Sequence, residues 1–368
     1  MLMRLSKLAA PVAFAAAFAA ALLGSPGCGR KQEIVKIGAI LPLSGEGAEV
    51  GNQYLHGMAL AIEELNAADP GVAYVLVADD GSDAARAGVA FSKQLMSDRI
   101  AAVVTAGDPA ALGAGPKAEQ EFVPLFANCN HPFIITMFRD VFRNSPATMT
   151  LAKRTFAFIS GSLKAKTVAL LYSDDPPGKL VAQAMKNEIP SSGLALAVSE
   201  PFDAAGADPK GAVGAVLSRK PEAIFIYGRG SSGARAVAAV RRLGYRGPVC
   251  LSRELVSSAV IASAPDAFEG CYAAVPAVEL ARPLPLAERC RARFNAEPTP
   301  NVLLAYDAMM LIAKADRARR YGESSLVNAL KAIGDYNGAA GAYSYAEREW
   351  MPPVYMTRIE GGAPVPIR

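Results

Sequence analysis

Three carboxylates within five residues, Asp79, Asp80 and Asp83, are the densest set of hard-cation ligands in the chain. They stand between a strand-like run and a helical one, where the same residue types cap helices, and capping is the expected role. Cys129 and His131 form the only Cys/His pairing that spacing offers a nucleophilic mechanism, but neighbouring turn residues seldom adopt that geometry. The other histidine, His56, falls on an amphipathic helical stretch and reads as a partly buried structural residue, and the chain has no G-x-S-x-G elbow. Gly228-Arg229-Gly230-Ser231-Ser232-Gly233 is a formal G-x-G-x-x-G between an apolar run and a helical one. A dinucleotide fingerprint wants an acid about 20 residues on in a first βα unit. Here the next acid, Glu254, is about 26 residues from Gly228 in a late unit, so the glycines read as a helix start on a cleft rim. With two histidines and no C-x-x-C, a zinc site is not expected. Neither a catalytic residue nor a cofactor emerges.

The elements that must position these residues alternate between short β-branched runs and helical stretches, the pattern of parallel βαβ units. Strands are expected at 35–40, 73–78, 101–105 and 123–126, with helices at 51–68, 85–97 and 110–121. A second series has strands at 167–172, 194–198, 223–227 and 249–252, separated by helices at 179–188, 210–219 and 233–243. Helices at 286–294 and 301–319 and a strand at 354–357 follow. These open no third domain, so the chain must return to earlier lobes. Crossings are expected at Val141-Phe142-Arg143, at 272–275 and between 338 and 345. The expected lobes are 34–142 plus 276–338 and 143–275 plus 339–368. Cys250 and Cys271 are expected side by side on strands of the second lobe, as buried thiols rather than a bridge, because a disulfide between neighbouring parallel strands is awkward.

The first residues are of another kind. Arg4 and Lys7 precede an apolar run from Leu8 to Leu23 that ends in Gly24-Ser25-Pro26-Gly27-Cys28. About 16 residues interrupted by Pro11 is short for a membrane span, and 1–27 reads as a signal peptide. Cys28 after a small residue resembles a lipobox cysteine, which implies a lipid anchor on the mature chain. Removing 1–27 leaves 36 basic and 34 acidic residues. That balance, with no basic run interleaved with aromatics, argues against a nucleic-acid partner.

Ile37-Gly38-Ala39-Ile40-Leu41-Pro42-Leu43-Ser44-Gly45, with Gly51 and a helix ending Glu63-Glu64-Leu65-Asn66-Ala67, resembles the opening of the periplasmic leucine/isoleucine/valine-binding proteins. Further matches in order are Asp79-Asp80-Gly81-Ser82-Asp83, Val141-Phe142-Arg143-Asn144-Ser145-Pro146, Tyr172-Ser173-Asp174-Asp175 and Ala305-Tyr306-Asp307-Ala308. The resemblance implies an α/β fold of two Rossmann-like doubly wound lobes joined by three hinge strands, with a ligand between them. It also implies an extracytoplasmic solute-binding protein, not an enzyme, that serves ABC-type permease and ATPase subunits. The same fold also serves as the ligand domain of sensing receptors, which is the alternative.

By that resemblance the first lobe anchors a ligand α-carboxylate with Ser or Thr hydroxyls and backbone N–H groups. This chain has Asp108, Pro109 and Ala110 there, and Asn128, Cys129 and Asn130 at the second anchoring segment. Asp108 repels a carboxylate, and Pro109 has no N–H. In the second lobe Pro177 and Gly230 stand where family members often carry aromatic side chains. Glu254 matches the acid that receives a ligand amine, with Arg253 and Arg229 close enough in sequence to offer a compensating positive charge, or simply to pair with it at the rim. A small polar ligand, an amino acid or a compound like one, is therefore expected, with a cationic or amide-bearing solute, or an acid recognised by Arg instead of by hydroxyls, fitting better than a plain branched-chain amino acid.

Overall fold

The protein was obtained as a computed structural model that describes residues 32–277, 285–322 and 325–367. Residues 1–27 and Cys28 lie outside the described residues. In the first lobe β1 (Glu33–Leu41), β2 (Val72–Asp80), β3 (Ala102–Ala106), β4 (Leu125–Asn128) and β5 (Val141–Phe142) form one sheet in the order β2-β1-β3-β4-β5. Every pairing in it is parallel. Between these strands run α1 (Ala48–Ala68), α2 (Ala84–Lys93), α3 (Asp108–Gln120) and the short α4 (Ile134–Met137).

The second lobe contains α5 (Thr148–Gly161), α6 (Pro176–Glu188), α7 (Lys210–Ser218), α8 (Gly230–Arg242), α9 (Ser258–Ala262) and α10 (Pro265–Phe268). Its strands are β6 (Thr167–Ser173), β7 (Ala195–Phe202), β8 (Ala223–Tyr227), β9 (Val249–Leu251) and β10 (Tyr272–Pro276). The sheet order is β15-β14-β10-β9-β8-β6-β7, with β14 (Val354–Glu360) and β15 (Ala363–Pro366) antiparallel at one edge. Leaving that edge aside, both sheets repeat one order in which β1 and β3, or β6 and β8, flank the point where the winding reverses. Loops beyond the carboxyl ends of such strand pairs form a crevice.

The chain then returns to the first lobe as α11 (Pro285–Phe294), α12 (Pro300–Arg320) and α13 (Leu326–Lys331). α12 lies along α1 so closely that a Cβ on Gly57 would run into the Val302 carbonyl. An antiparallel sheet of β11 (Tyr336–Gly338), β12 (Gly341–Ala346) and β13 (Glu349–Met351) follows. It packs with the first lobe: Ala340, Tyr343 and Trp350 share a core with β1, α1 and α12. Asp307 of α12 accepts the N–H groups of Ala339 and Ala340 and the Tyr343 hydroxyl. The expectation that 339–368 joins the second lobe is corrected here, because 339–351 is held by first-lobe residues and only the segment from β14 onward enters the second sheet. The third crossing therefore runs from Met351 to Val354 through Pro352-Pro353, not between 338 and 345.

α5 was not among the expected helices. Cys250 and Cys271 sit on neighbouring backbone, since Tyr272 pairs with Cys250. Both are buried free thiols, Cys250 in the core under α5 and α6 and Cys271 in the core of the opposite sheet face.

Candidate functional site

The crevice is built from strand ends. After β1, Leu43 and Ser44 are held by Asp80, which accepts the Leu43 N–H at 2.9 Å and the Ser44 hydroxyl at 2.7 Å. Burial alone would raise the Asp80 carboxyl, but the hydrogen bonds from Ser44, Leu43 and Ser82 outweigh it and hold it at about 2. Asp83 caps α2 through the Arg86 N–H, and Asp79 pairs with Lys93. The three acids are thus joints of the scaffold. Among the described residues no group of His, Cys, Asp and Glu is placed to hold a metal ion.

After β3, Asp108 opens α3 with its Oδ1 accepting the N–H groups of Asn130 at 2.8 Å and His131 at 3.0 Å. Asn128 is buried at the end of β4, where its Oδ1 accepts the Asn144 N–H and its Nδ2 makes no hydrogen bond of normal geometry. Tyr54 of α1 stands beside it. Burial pushes the Tyr54 phenol up, while Arg253 of the second lobe and Asn128 work against the shift. Cys129 is buried and its thiol is pushed up to about 12 by that burial and by Asp108, so it supplies no thiolate at neutral pH. Burial lowers His131. Ala110 is wholly buried in the core beneath α3 and offers no surface to the crevice, and Pro109 is exposed beside it.

From the second lobe come Tyr227 at the end of β8, Arg229 and Gly230 at the start of α8, and Glu254 in the turn after β9. Tyr227 is wholly buried and its hydroxyl closes no hydrogen bond of normal geometry, although Arg229 is near. Burial raises this phenol, Glu254 raises it further, and Asp108 from across the crevice adds to the effect. Glu254 is half-buried and its Oε2 is enclosed without a partner. It lines a small crevice within the second lobe, together with Thr148, Thr155, Met185, Phe225, Ser252 and Arg253. Pro177 lies in the first turn of α6, whose cap Asp175 is close enough to bear on Arg229. Gly228 and Gly233 are required by packing: a Cβ on Gly233 would run into Leu255, and one on Gly228 would meet Phe202. Close approach thus accounts for two glycines of the G-x-G-x-x-G, and the third, Gly230, sits in open space at a positive φ of 48°.

A sequence profile described as periplasmic binding protein matches residues 34–363. The chain belongs to the periplasmic binding protein family. Over 330 residues it is 25% identical to the leucine-, isoleucine-, valine-, threonine- and alanine-binding protein of Pseudomonas aeruginosa, covering 85% of this chain and 86% of that one. The crystal structure of the leucine-binding protein LivK of Thermotoga maritima superposes with a TM-score of 0.75 at 21% identity, covering 91% of this chain and 98% of that one. A solute-binding protein of an ABC transporter from Rhodopseudomonas palustris BisB5, in complex with 3,4-dihydroxybenzoic acid, superposes with a TM-score of 0.71 at 19% identity, covering 91% and 96%. Family membership implies an extracytoplasmic place of work.

Within this periplasmic binding protein fold, Tyr227 of the second lobe lies within the influence of Glu254 and Arg229 on its own side and of Asp108 on the other, and Arg253 bears on Tyr54 beside Asn128. Tyr54, Tyr227 and Thr148 were not foreseen. Thr148, at the start of α5, donates to the Asn130 carbonyl at 3.3 Å and so joins the lobes. The available signal was Tyr227 itself, a polar-tipped residue ending an otherwise apolar strand just before Gly228.

Proposed function

We propose that this chain is an extracytoplasmic solute-binding protein that captures a small polar solute between its lobes and delivers it to an ABC-type permease with its ATPase subunits. In this reading it performs no chemistry. Residues 1–27 are a signal peptide, and a lipid on Cys28 is its only tie to the membrane. The lobes are 34–142 with 276–351 and 143–275 with 352–368.

One observation carries the reading: Tyr227 of the second lobe, whose enclosed hydroxyl closes no hydrogen bond of normal geometry, lies within the influence of Asp108 of the first lobe, where Asn128 Nδ2 is enclosed in the same way. Buried polar groups normally find hydrogen bonds, and a solute seated between the lobes would supply these. Asp108, Asn128, Asn130, Arg229 and Glu254 are the proposed wall, with Cys129, Pro109, Pro177 and Gly230 at its margin. The test is a thermal-shift screen of the mature protein against amino acids, amides, aromatic acids and short peptides. A solute that binds only the folded state raises the melting temperature by mass action. A melting temperature unmoved by every class would overturn the reading.

A further inference from the structure

The first lobe already holds a carboxylate where the crevice offers backbone donors. Two successive N–H groups, those of Asn130 and His131, point the same way just beyond the end of β4, and Asp108 Oδ1 accepts both, at 2.8 and 3.0 Å. Successive backbone N–H groups of this kind are a common seat for an anion. Here the chain fills that seat itself. The neighbouring Pro109 has no N–H to offer in their place.

The unpartnered atoms left around the seat have a different chemistry. Glu254 Oε2 can only accept while the group is ionised. Asn128 Nδ2 can only donate, and its side chain is 5% exposed. Tyr227 Oη, at 0% exposure, can do either, and it lies within the influence of both Glu254 and Asp108. A solute carboxylate at the first-lobe strand ends would meet Asp108 as a like charge and find both N–H groups taken. An N–H-bearing group would find acceptors, and a carbonyl beside it would find the Asn128 amide. Arg229 stands exposed on the second-lobe rim, and Arg253 lies beside Glu254 in the small second-lobe crevice, so the charge that faces the two N–H groups directly is that of Asp108.

We propose that Asp108 is a built-in substitute for a ligand carboxylate, so that the crevice takes a solute bearing a primary amide or amine and no free carboxylate. This rests on the solute-binding reading above and narrows it.

The experiment is titration calorimetry on the full mature chain with matched pairs: leucinamide against leucine, butyramide against butyrate, agmatine against arginine. The amide or amine member of at least one pair should bind ten-fold or more tightly than its carboxylate twin. Asp108→Ser, which removes the charge and frees the two N–H groups, should shrink or reverse that ratio. Asp108→Asn keeps an acceptor for the loop and should narrow the ratio through loss of charge alone, so a misfolded serine variant does not end the test. Equal or tighter binding of the carboxylate twins by the wild-type protein overturns the inference and leaves solute capture standing. The same holds if the broad screen yields an acid whose amide binds more weakly. Silence across both the matched pairs and the broad screen overturns capture itself, and the inference with it.

Discussion

Glu254 and Asp307 are two carboxylates in opposite situations, and each sets a different measurable property. Glu254 Oε2 is enclosed without a hydrogen bond. Leaving such a group unsatisfied costs about 1–3 kcal/mol. Glu254→Gln should therefore raise the melting temperature of the solute-free protein, by about 2–4 °C per kcal/mol at the size of one lobe, while weakening solute binding at least ten-fold. Differential scanning calorimetry with and without solute checks both halves, and a variant that melts lower but binds normally would mark Glu254 as structural. Asp307 accepts three hydrogen bonds, yet burial pushes its carboxyl up to about 6, against the pull of Ala340, Ala339 and Tyr343. Unfolded, it titrates near about 4. The folded state thus binds the extra proton between those values, so this group's contribution is full below about pH 4 and is lost as pH rises through about 6, by roughly 3 kcal/mol in all. Urea melts at pH 4, 5, 6 and 7 should show the wild-type protein losing stability relative to Asp307→Asn as pH rises.

At the scale of elements, strands and helices with a clear period were legible in the sequence, and those defined by distant partners were not. The β8 run was placed at its observed bounds, since Ala223–Tyr227 is an unbroken apolar strand before a glycine. α5 is amphipathic, with Leu151, Ala152, Thr155, Phe156 and Ile159 buried along one face, but its threonines and aromatics are weak helix formers and masked that period. The third crossing was misplaced because the anchor of β11 and β12 is Asp307, some thirty residues earlier in sequence, and no local pattern announces that contact. The Pro352-Pro353 pair was the local sign of the true crossing. In the crevice, Asp108 and Asn130 were singled out by residue type, but only the fold reveals that they bind each other. α1 and α12 supply a test at this scale. Gly57→Ala would place a methyl against the Val302 carbonyl and Ala305, forcing the helices apart. Overpacking of this kind costs about 1–3 kcal/mol. A denaturant midpoint lowered without a change in slope is the expected result, and an unchanged midpoint would mean the helices yield freely.

Over the whole molecule, the apolar cores stop at the lobe boundary. The two clusters built on β1 to β5 draw only on first-lobe residues, and the three built on β6 to β10 and β14 only on second-lobe residues. Across the crevice the lobes meet through polar groups, with Asn130 against Thr148 and Asp108 within the influence of Tyr227. The crossings are braced on one another, since buried Arg143 forms an ion pair with half-buried Glu349 and Trp350 donates its backbone N–H to the Arg143 carbonyl. Such a frame bends at low cost because no shared core resists it. Closure without a solute, however, leaves Asn128 Nδ2 and Tyr227 Oη enclosed and unsatisfied, at about 1–3 kcal/mol each. Opening returns them to water, so the solute-free equilibrium should favour open lobes, and a solute that satisfies these atoms only when enclosed should draw the lobes together. Small-angle scattering is the direct check. The radius of gyration should fall on adding solute toward the value of about 20 Å for a compact chain of this length, and Glu254→Gln should need much more solute to reach it. A wild-type protein already at that value without solute would mean that the polar contacts between the lobes outweigh the unsatisfied atoms they enclose.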